Sequence, residues 1–495
     1  MQHTRLAEME EHCQNMPLDY ASYQIVLGQF EEAIETLEQG RALIWSEMRG
    51  LRTQRAQIVQ EVSPSAERLS EINKALAVLT TSTTPTAQTE IEDDVVQGRN
   101  RMDSFGRLII KQRKLMEERD ALIQAQPGLE RVVQTFSTLR SAASRGPVIL
   151  INHSRWHSDI MIIFHNSLPC AIPTTDDFYD HANKLHDKLM DARRVGLDSA
   201  KYQHALRTVL KDLYDLVGQP VLKRLRVLGV PEQSRIWWCP TSVFCSLPLH
   251  AMGPIPSEDM IRHSKPSKRY FSDLYIPSYT PSLSALIESR DSTVQALDQP
   301  SLLLVAQLDE TLPGVLGEIS VMQKLRVPVT SLISKSATPT SVIEALRGHR
   351  FAHFACHGNL ETGKPFDASF RLYGGERLTL LEIVRSRLPN AEFAFLSCCH
   401  TAEITEKSIA DEALHLTAAM QYCGFRSVVG TMWAMADTDG QDLAKNFYKS
   451  LFASRDEGVP YYERSARALR DAARKLRRKE GMTLERWVNF VHYGA

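Results

Sequence analysis

The sequence lacks several features that would indicate particular classes of protein. It has no excess of charge of one sign, because 58 Lys and Arg residues balance 59 Asp and Glu residues for a formal net charge of -1. That balance gives no reason to expect contact with nucleic acid or with an anionic membrane. No apolar run reaches the roughly 18 residues that cross a bilayer, and the first residues, MQHTRLAEMEE, contain no signal-peptide core. We therefore expect a cytoplasmic protein without a membrane partner.

The sequence also lacks the cysteine spacing of a metal site or of a disulfide framework. Its eight cysteines are scattered, and no Cys-x-x-Cys pair occurs. Cys398 and Cys399 are adjacent, and adjacent residues of a strand point to opposite faces, so the two are poorly placed to ligate one ion. We expect no metal and no cofactor, and we expect most of the thiols to be buried in a reducing compartment.

A chain of 495 residues is too long for one compact core, and its pattern changes near residue 145. Before that position apolar residues recur at helical spacing over 33–55, and further helices are predicted over 64–79 and 97–125 with a Thr-rich linker between them. No fixed period is present, so a repeat array cannot be inferred. The sequence predicts a helical region over 1–145 that serves as a solvated cap or as a docking surface.

From residue 146 onwards, apolar runs of strand length alternate with helical segments. Predicted strands include VILIN, DIMIIF and RIWWCP, and a long helical stretch is predicted over 181–218. After a polar connection over 264–282 the alternation begins again at SLLLVAQ, and a helix over 340–348 follows with Thr338 or Thr340 as its N-cap. This alternation predicts a mostly parallel sheet with helices on both faces. The restart predicts two α/β halves, over 146–295 and 296–495.

Two runs of strand length each end at a reactive side chain. Residues 350–358 have the sequence RFAHFACHG and lead to His357, and residues 391–402 have the sequence AEFAFLSCCHTA and lead to Cys399. In an open parallel sheet, ligands and chemistry lie beyond the carboxyl ends of the strands. Two neighbouring strands that end in this way would bring both groups into one crevice, which is the layout of a cysteine protease.

The residue types suit peptide hydrolysis. A thiolate can attack a peptide carbonyl, provided that its proton is removed and that the departing amine receives one. Cys399 is the candidate nucleophile, and His357 is the candidate acid or base. Gly358 has no Cβ, so its backbone N–H can approach the substrate carbonyl closely. Together with the Cys399 N–H it would form an oxyanion hole.

The sequence resembles the CHAT family of caspase-like peptidases, which are often attached to TPR helices. The resemblance covers about residues 146–495, and its main blocks are CHG at 356–358, LSCCHTA at 396–402 and GFRSVVGTMWAMAD at 424–437. It implies a separase-like and caspase-like fold with a degenerate first half and an active second half. It also implies that the helical N-terminus is the shortened end of a TPR region. Cys398 and His400 flank the nucleophile where the family more often has a small residue and an acidic one.

Neighbouring residues are expected to have structural roles. Cys356 and Cys398 lie in the register of strand packing, so both should be buried, inert thiols. His353 lies on the strand face opposite Cys356 and should be a satisfied core or interface histidine. His400 follows Cys399 directly and should point away from it.

Substrate specificity has weaker support in the sequence. Asp411 and Glu412 follow the candidate nucleophile, and Asp437 and Asp439 follow the next strand, so these acids could line a pocket for a basic P1 side chain. The analogy is with the acidic pockets of separase-like relatives. Asp411 is equally well placed to cap the helix that ends at Cys423.

The sequence therefore predicts an intracellular cysteine endopeptidase that cleaves a protein substrate. We expect the loops at 359–368 and 401–410 to hold it inactive until a protein partner binds the helical N-terminal region. Two alternatives remain. The chain could be a catalytically silent scaffold that binds other proteins, or a self-cleaving precursor with exposed sites near 80–90 or 475–479.

Overall fold

The computed structural model describes residues 15–53, 68, 114, 118, 135–195, 199–255, 270–290, 301–309, 312–359, 368–386, 388, 390–398, 416–433, 435, 437–453 and 459–495. The chain divides into two compact units. The first consists of Met1–Trp45 with Gln134–Ala495, and the second is Ser46–Val133.

Little of the second unit is described. It contains the end of a helix up to Thr53 and a salt bridge in which Arg68 Nε lies 2.8 Å from Glu118 Oε1. The predicted helices over 64–79 and 97–125 otherwise lie outside the described residues.

The first unit is an α/β domain built on one large sheet. Among the described residues, eleven strands form this sheet in the order β3-β2-β1-β4-β5-β14-β13-β12-β8-β6-β7, and three form a small antiparallel sheet in the order β11-β10-β9. The strands are β1 (Val148–Asn152), β2 (Asp159–Ile163), β3 (Cys170–Ile172), β4 (Arg235–Pro240), β5 (Ile276–Tyr279), β6 (Leu302–Ala306), β7 (Val329–Ile333), β8 (Phe351–Ala355), β9 (His357–Asn359), β10 (Ser369–Arg371), β11 (Arg377–Thr379), β12 (Phe393–Leu396), β13 (Ser427–Thr431) and β14 (Phe490–Gly494).

The large sheet is mostly parallel, as the sequence predicted. Among the described strands of this sheet, three neighbouring pairs are antiparallel: β1 with β2, β2 with β3, and β13 with β14. The strands β1, β4, β5 and β14 run parallel to one another, and β13, β12, β8, β6 and β7 run the opposite way. The carboxyl ends of β1 and β4 therefore lie at the opposite edge of the sheet from those of β8 and β12.

The helices lie between and around these strands. Their bounds are α1 (15–26), α2 (Phe30–Thr53), α3 (Phe136–Leu139), α4 (Phe178–Val195), α5 (Ala200–Leu213), α6 (Gln219–Val227), α7 (Phe271–Leu274), α8 (Leu283–Arg290), α9 (Val315–Gln323), α10 (Pro339–Gly348), α11 (Leu380–Ser386), α12 (Leu416–Tyr422), α13 (Asp437–Leu451), α14 (Tyr461–Arg477) and α15 (Leu484–Val488). Of the two candidate N-caps of α10, Thr338 and Thr340, the structure has Thr338, whose side chain accepts a hydrogen bond from the backbone N–H of Ser341. Where the structure describes the chain, no helix is both long and apolar enough to span a bilayer.

Helices cover both faces of the sheet, and the side chains of β1 and β2 pack against them on either face. Alternate residues of β1 and β2 enter two different apolar cores. One core contains Ile149, Ile151, Ile160 and Ile162 with residues of α4 and α5, and the other contains Val148, Leu150, Met161 and Ile163 with residues of α1, α2 and α8. Burial on both faces explains why these strands are continuously apolar.

The first 45 residues belong to the α/β unit, although the sequence placed them in a helical region over 1–145. Glu38 accepts hydrogen bonds of 2.9 Å from the backbone N–H groups of Leu283 and Ser284 at the start of α8. Arg41 donates to the carbonyl oxygen of Pro240 at 2.7 Å. Buried polar contacts of this kind tie α2 to the end of β4 and to α8.

Two sequence predictions need correction. The helix predicted over 181–218 is two helices, α4 and α5, followed by a π-helical turn over Tyr214–Gly218. The connection predicted over 264–282 contains β5, a strand in the middle of the sheet. Pro277 lies inside this strand, and proline is rare in central strands, so the pattern did not indicate one.

Candidate functional site

The two strands that lead to the predicted dyad are neighbours. β8 and β12 pair in parallel, from Phe351 opposite Phe393 to Phe354 opposite Leu396. The backbone N–H of Ser397 donates to the carbonyl of Phe354 at 2.8 Å, so the pairing extends one residue beyond β12. This register confirms the prediction of adjacent parallel strands, and it places their carboxyl ends side by side.

His357 lies at this edge of the sheet. The chain bends at Cys356 after β8, and His357 begins β9, where it pairs with Arg371 and Gly358 pairs with Phe370. The side chain of His357 is 28% exposed, and its Nε2 atom lies 3.9 Å from Oδ2 of Asp309. A reagent at the sheet edge can therefore reach the imidazole.

The other predicted site residues lie mostly beyond the part of the chain that is described. The structure describes the chain up to Cys398 and again from Leu416, so Cys399, His400, Asp411 and Glu412 lie outside the described residues. Asp437 is the first residue of α13.

A neighbouring acid already has a partner. Asp439 is buried, and its two oxygens lie 2.6 and 2.7 Å from the guanidinium of Arg486. A bidentate pair of this kind fixes the carboxylate geometrically. The prediction that Asp439 lines a substrate pocket is therefore wrong, because its carboxylate is buried and paired with Arg486.

The two cysteines that precede the dyad residues are buried, as predicted. Cys356 and Cys398 are each 1% exposed, and their sulfur atoms lie 3.8 Å apart. Burial, and then the hydrogen bond with Cys356, raise the pKa of the Cys398 thiol well above its ordinary value. A thiol in that environment forms almost no thiolate at neutral pH, so Cys398 is a poor nucleophile.

We predict that Cys398→Ala keeps peptide cleavage within about twofold of the wild type and lowers the free energy of unfolding by about 1 kcal/mol, because a small cavity forms. Cleavage assays and urea unfolding of the same preparation measure both effects. Cys423→Ala, at another buried thiol, is the matched control. Loss of cleavage in a folded Cys398→Ala protein would contradict the assignment of an inert role.

A buried polar network lies beneath the two strand ends. Glu318 of α9 contacts Nε2 of His353 at 2.7 Å through one oxygen and accepts from Ser397 Oγ at 2.7 Å through the other. Nδ1 of His353 lies 3.1 Å from the hydroxyl of Tyr448. Glu318 and His353 are at most 1% exposed. One carboxylate thus joins β8 to the residue that follows β12, and His353 is the satisfied core histidine that the sequence predicted.

Sequence reasoning missed two acids near the site. Glu318 is a single acidic residue in the apolar run VLGEISVM, a pattern that is typical of a buried charge, but nothing in the sequence indicates its partner. Asp309 follows the strand run LLLVA by three residues, and a polar residue beyond such a run is a weak indication of a site.

The opposite edge carries a histidine and serine in a similar position. His153 follows β1, Ser242 follows the adjacent parallel strand β4, and Nδ1 of His153 lies 3.0 Å from Ser242 Oγ. The ring is 2% exposed and stacks on Tyr179. Burial lowers the pKa of His153 to about 4, so the ring is neutral at physiological pH and weakly basic. We interpret this pair as structural.

Comparison of the sequence with models of protein families identifies one matching family. A model of the CHAT domain matches residues 207–495. No curated protein matches the chain.

The comparison with solved structures found several distant similarities. The chain is similar to one in the Saccharomyces cerevisiae separase–securin complex, with 11% identity and a TM-score of 0.45. That match covers 95% of this chain but 38% of the other. A complex of the pro- and mature domains of Porphyromonas gingivalis RgpB matches with 9% identity and a TM-score of 0.36, over 64% of this chain and 75% of the other.

Proposed function

This chain belongs to the CHAT-domain family, and on that premise we propose that it is a cysteine endopeptidase with a Cys399 and His357 dyad. The observation that supports the proposal most directly is the parallel pairing of β8 and β12. His357 follows β8 by two residues, and Cys399 follows β12 by three. Strand ends at one edge of a parallel sheet are where such sheets bind ligands.

In the proposed reaction, the Cys399 thiolate attacks the peptide carbonyl, and His357 gives a proton to the departing amine. The N–H groups of Gly358 and Cys399 stabilise the oxyanion. Water then hydrolyses the thioester, which releases the acid and restores the Cys399 thiolate, and His357 regains a proton from that water. The exposed position of the His357 side chain suits this proton transfer, because the substrate must reach it.

We further propose that Asp411, Glu412 and Asp437 favour a basic P1 side chain. Their support is their position after the candidate nucleophile and after β13. Peptides that differ only in P1, with Arg, Ala or Asp, test this part separately, because an acidic pocket would favour Arg and disfavour Asp.

An electrophilic peptide probe with Arg at P1 tests the proposed activity in the full chain. We expect mass spectrometry to map the label to Cys399 alone, and we expect His357→Ala to slow the labelling. The buried, poorly ionised Cys398 thiol supplies an internal control. Labelling of no cysteine, with no cleavage of any peptide, would refute the proposal and favour the silent scaffold that binds other proteins.

Regulation forms a further part of the proposal. We propose that basal activity is low in the cytoplasm, that a protein partner activates the enzyme at the helical N-terminal region, and that the loops at 359–368 and 401–410 respond. Both segments have polar sequences, and polar loops in general populate several states until a ligand selects one.

The N-terminal region can be tested with a more selective deletion than removal of residues 1–145. Because α1 and α2 contribute Leu18, Ile25, Ile34 and Leu37 to an apolar core, that deletion would unfold the α/β unit. Replacement of Ser46–Val133 with a flexible linker leaves this core intact. We predict that the shortened protein stays folded, keeps its basal activity and no longer responds to the partner.

Thermal unfolding tests whether the shortened protein stays folded. Its cleavage rate, measured with and without a cell extract that activates the wild type, tests whether it still responds to the partner. Full activation of the shortened protein would place the partner's site elsewhere.

A further inference from the structure

The carboxyl end of β6 adjoins the candidate site. β6 pairs in parallel with β8, with Ala306 opposite Ala355, and the N–H of Gln307 donates to the carbonyl of Ala355 at 3.0 Å. All five residues of β6 are buried, and a strand buried on both faces cannot slip by one residue without exposing apolar side chains. Asp309 follows β6 and His357 follows β8, so the register brings both residues to the same edge.

The two side chains are in contact range. Oδ2 of Asp309 lies 3.9 Å from Nε2 of His357, and each side chain is 28% exposed. This distance suits an ion pair and is longer than a hydrogen bond, which requires about 2.7–3.2 Å. Hydrogen bonds at active sites are often long in the free enzyme and shorten when substrate binds.

The contact has little value for folding by itself. Ion pairs between partly exposed side chains contribute little to stability, because water screens them and both side chains lose freedom. A carboxylate beside one nitrogen of an imidazole has a clear chemical consequence, however. It orients the ring, so that the other ring nitrogen can face the reacting atoms.

We propose that Asp309 is the positioning residue for His357, holding Nε2 so that Nδ1 delivers the proton to the leaving amine. This inference rests on the proposed function of His357. The amine departs with the proton from Nδ1 as the bond between carbon and nitrogen breaks. The imidazole regains a proton from the water that hydrolyses the thioester. Peptide and water are thus consumed, and an acid and an amine are formed.

The experiment compares Asp309→Asn, Asp309→Glu and a control, Asp191→Asn, all in the full chain. Asp191 lies far along the sequence on α4 and is exposed. We expect Asp309→Asn to lower kcat about 10- to 100-fold, which is a large part of what a positioned acid contributes. KM should stay within about twofold, because the carboxylate acts on the imidazole and makes no contact with substrate in this proposal. Asp309→Glu should recover part of the loss because it restores the charge, and Asp191→Asn should have no effect.

A second readout is independent of activity. In protein labelled with ¹⁵N-histidine, the ring nitrogens of His357, assigned with His357→Ala, report its tautomer and protonation. We expect Asp309→Asn to change these resonances and Asp191→Asn to leave them unchanged. A purely structural role would alter the unfolding temperature and would not give this combination of a kcat loss, a charge-dependent recovery and a local spectral change.

The two readouts separate the inference from the proposed function. In Asp309→Asn, an unchanged His357 spectrum or a kcat within about twofold of the wild type overturns the positioning role. Loss of a correctly positioned acid should lower kcat by about 10-fold or more. If the wild-type chain cleaves no peptide, the proposed peptidase function is refuted. The ¹⁵N spectrum of His357 then tests the contact between Asp309 and His357 by itself. A changed spectrum supports Asp309 as the orienting residue, and an unchanged one overturns it.

Discussion

Cys399→Ala and His357→Ala should each abolish peptide cleavage while the protein stays folded. The first removes the only atom proposed to bond to the substrate, and the second removes an acid whose contribution is typically about 10²- to 10⁴-fold. His357 is partly exposed at a strand end, so its loss should change the free energy of unfolding by only about 0.5 kcal/mol. Cleavage of a peptide substrate by the activated enzyme and urea unfolding measure the two effects.

The chain offers a matched control for each substitution. Cys170→Ala is the control for Cys399→Ala, because Cys170 lies in β3, the strand at one end of the large sheet. His165→Ala is the control for His357→Ala, because His165 follows β2 and its ring contacts the carbonyl of Arg140. Both controls should cleave at the wild-type rate. Cleavage by Cys399→Ala would refute the proposed mechanism. Equal losses of cleavage activity in the control variants would show that the substitutions act through folding.

Glu318→Ala should be among the most destabilising single substitutions in the protein, with a loss of about 3–5 kcal/mol in the free energy of unfolding. The carboxylate accepts from Ser397 and pairs with His353, and all three residues are buried. Its removal leaves two polar groups without a partner in a region that excludes water. Burial and the Glu318 charge also hold the pKa of Tyr448 well above its ordinary value, so the phenol stays protonated beside His353.

Urea unfolding of Glu318→Ala, Glu318→Gln and Glu344→Ala tests this prediction. Glutamine keeps the size of the side chain and can accept one of the hydrogen bonds, so it should cost less than alanine. Glu344 is an exposed residue of α10, and its replacement should cost less than about 0.5 kcal/mol. A cost below about 1 kcal/mol for Glu318→Ala would mean that solvent or a shifted neighbour replaces the carboxylate, and the network would then not hold the two strands together.

Some features of the site could be predicted because they depend on residues close together in the sequence. The runs FAHFA and FAFL are apolar and of strand length, which predicted β8 and β12. Alternation along β8 placed His353 in the core, and the position of Cys398 beside a strand end predicted its burial. A threonine N-cap at 338 or 340 was predicted for α10, and the structure has it at Thr338.

Other features depend on which strands become neighbours, and local pattern carries little information about that. The sequence alone determined a mostly parallel α/β domain and the two strands that lead to His357 and Cys399. Only the tertiary structure decided that β5 passes through the middle of the sheet despite Pro277, and that the two sets of strands end at opposite edges. It also decided that Asp309 meets His357 and that Glu318 meets both His353 and Ser397. The physical reason is that strand runs and caps follow from neighbouring side chains, whereas contacts across 35 or more residues follow from how the buried faces of separate strands and helices pack together.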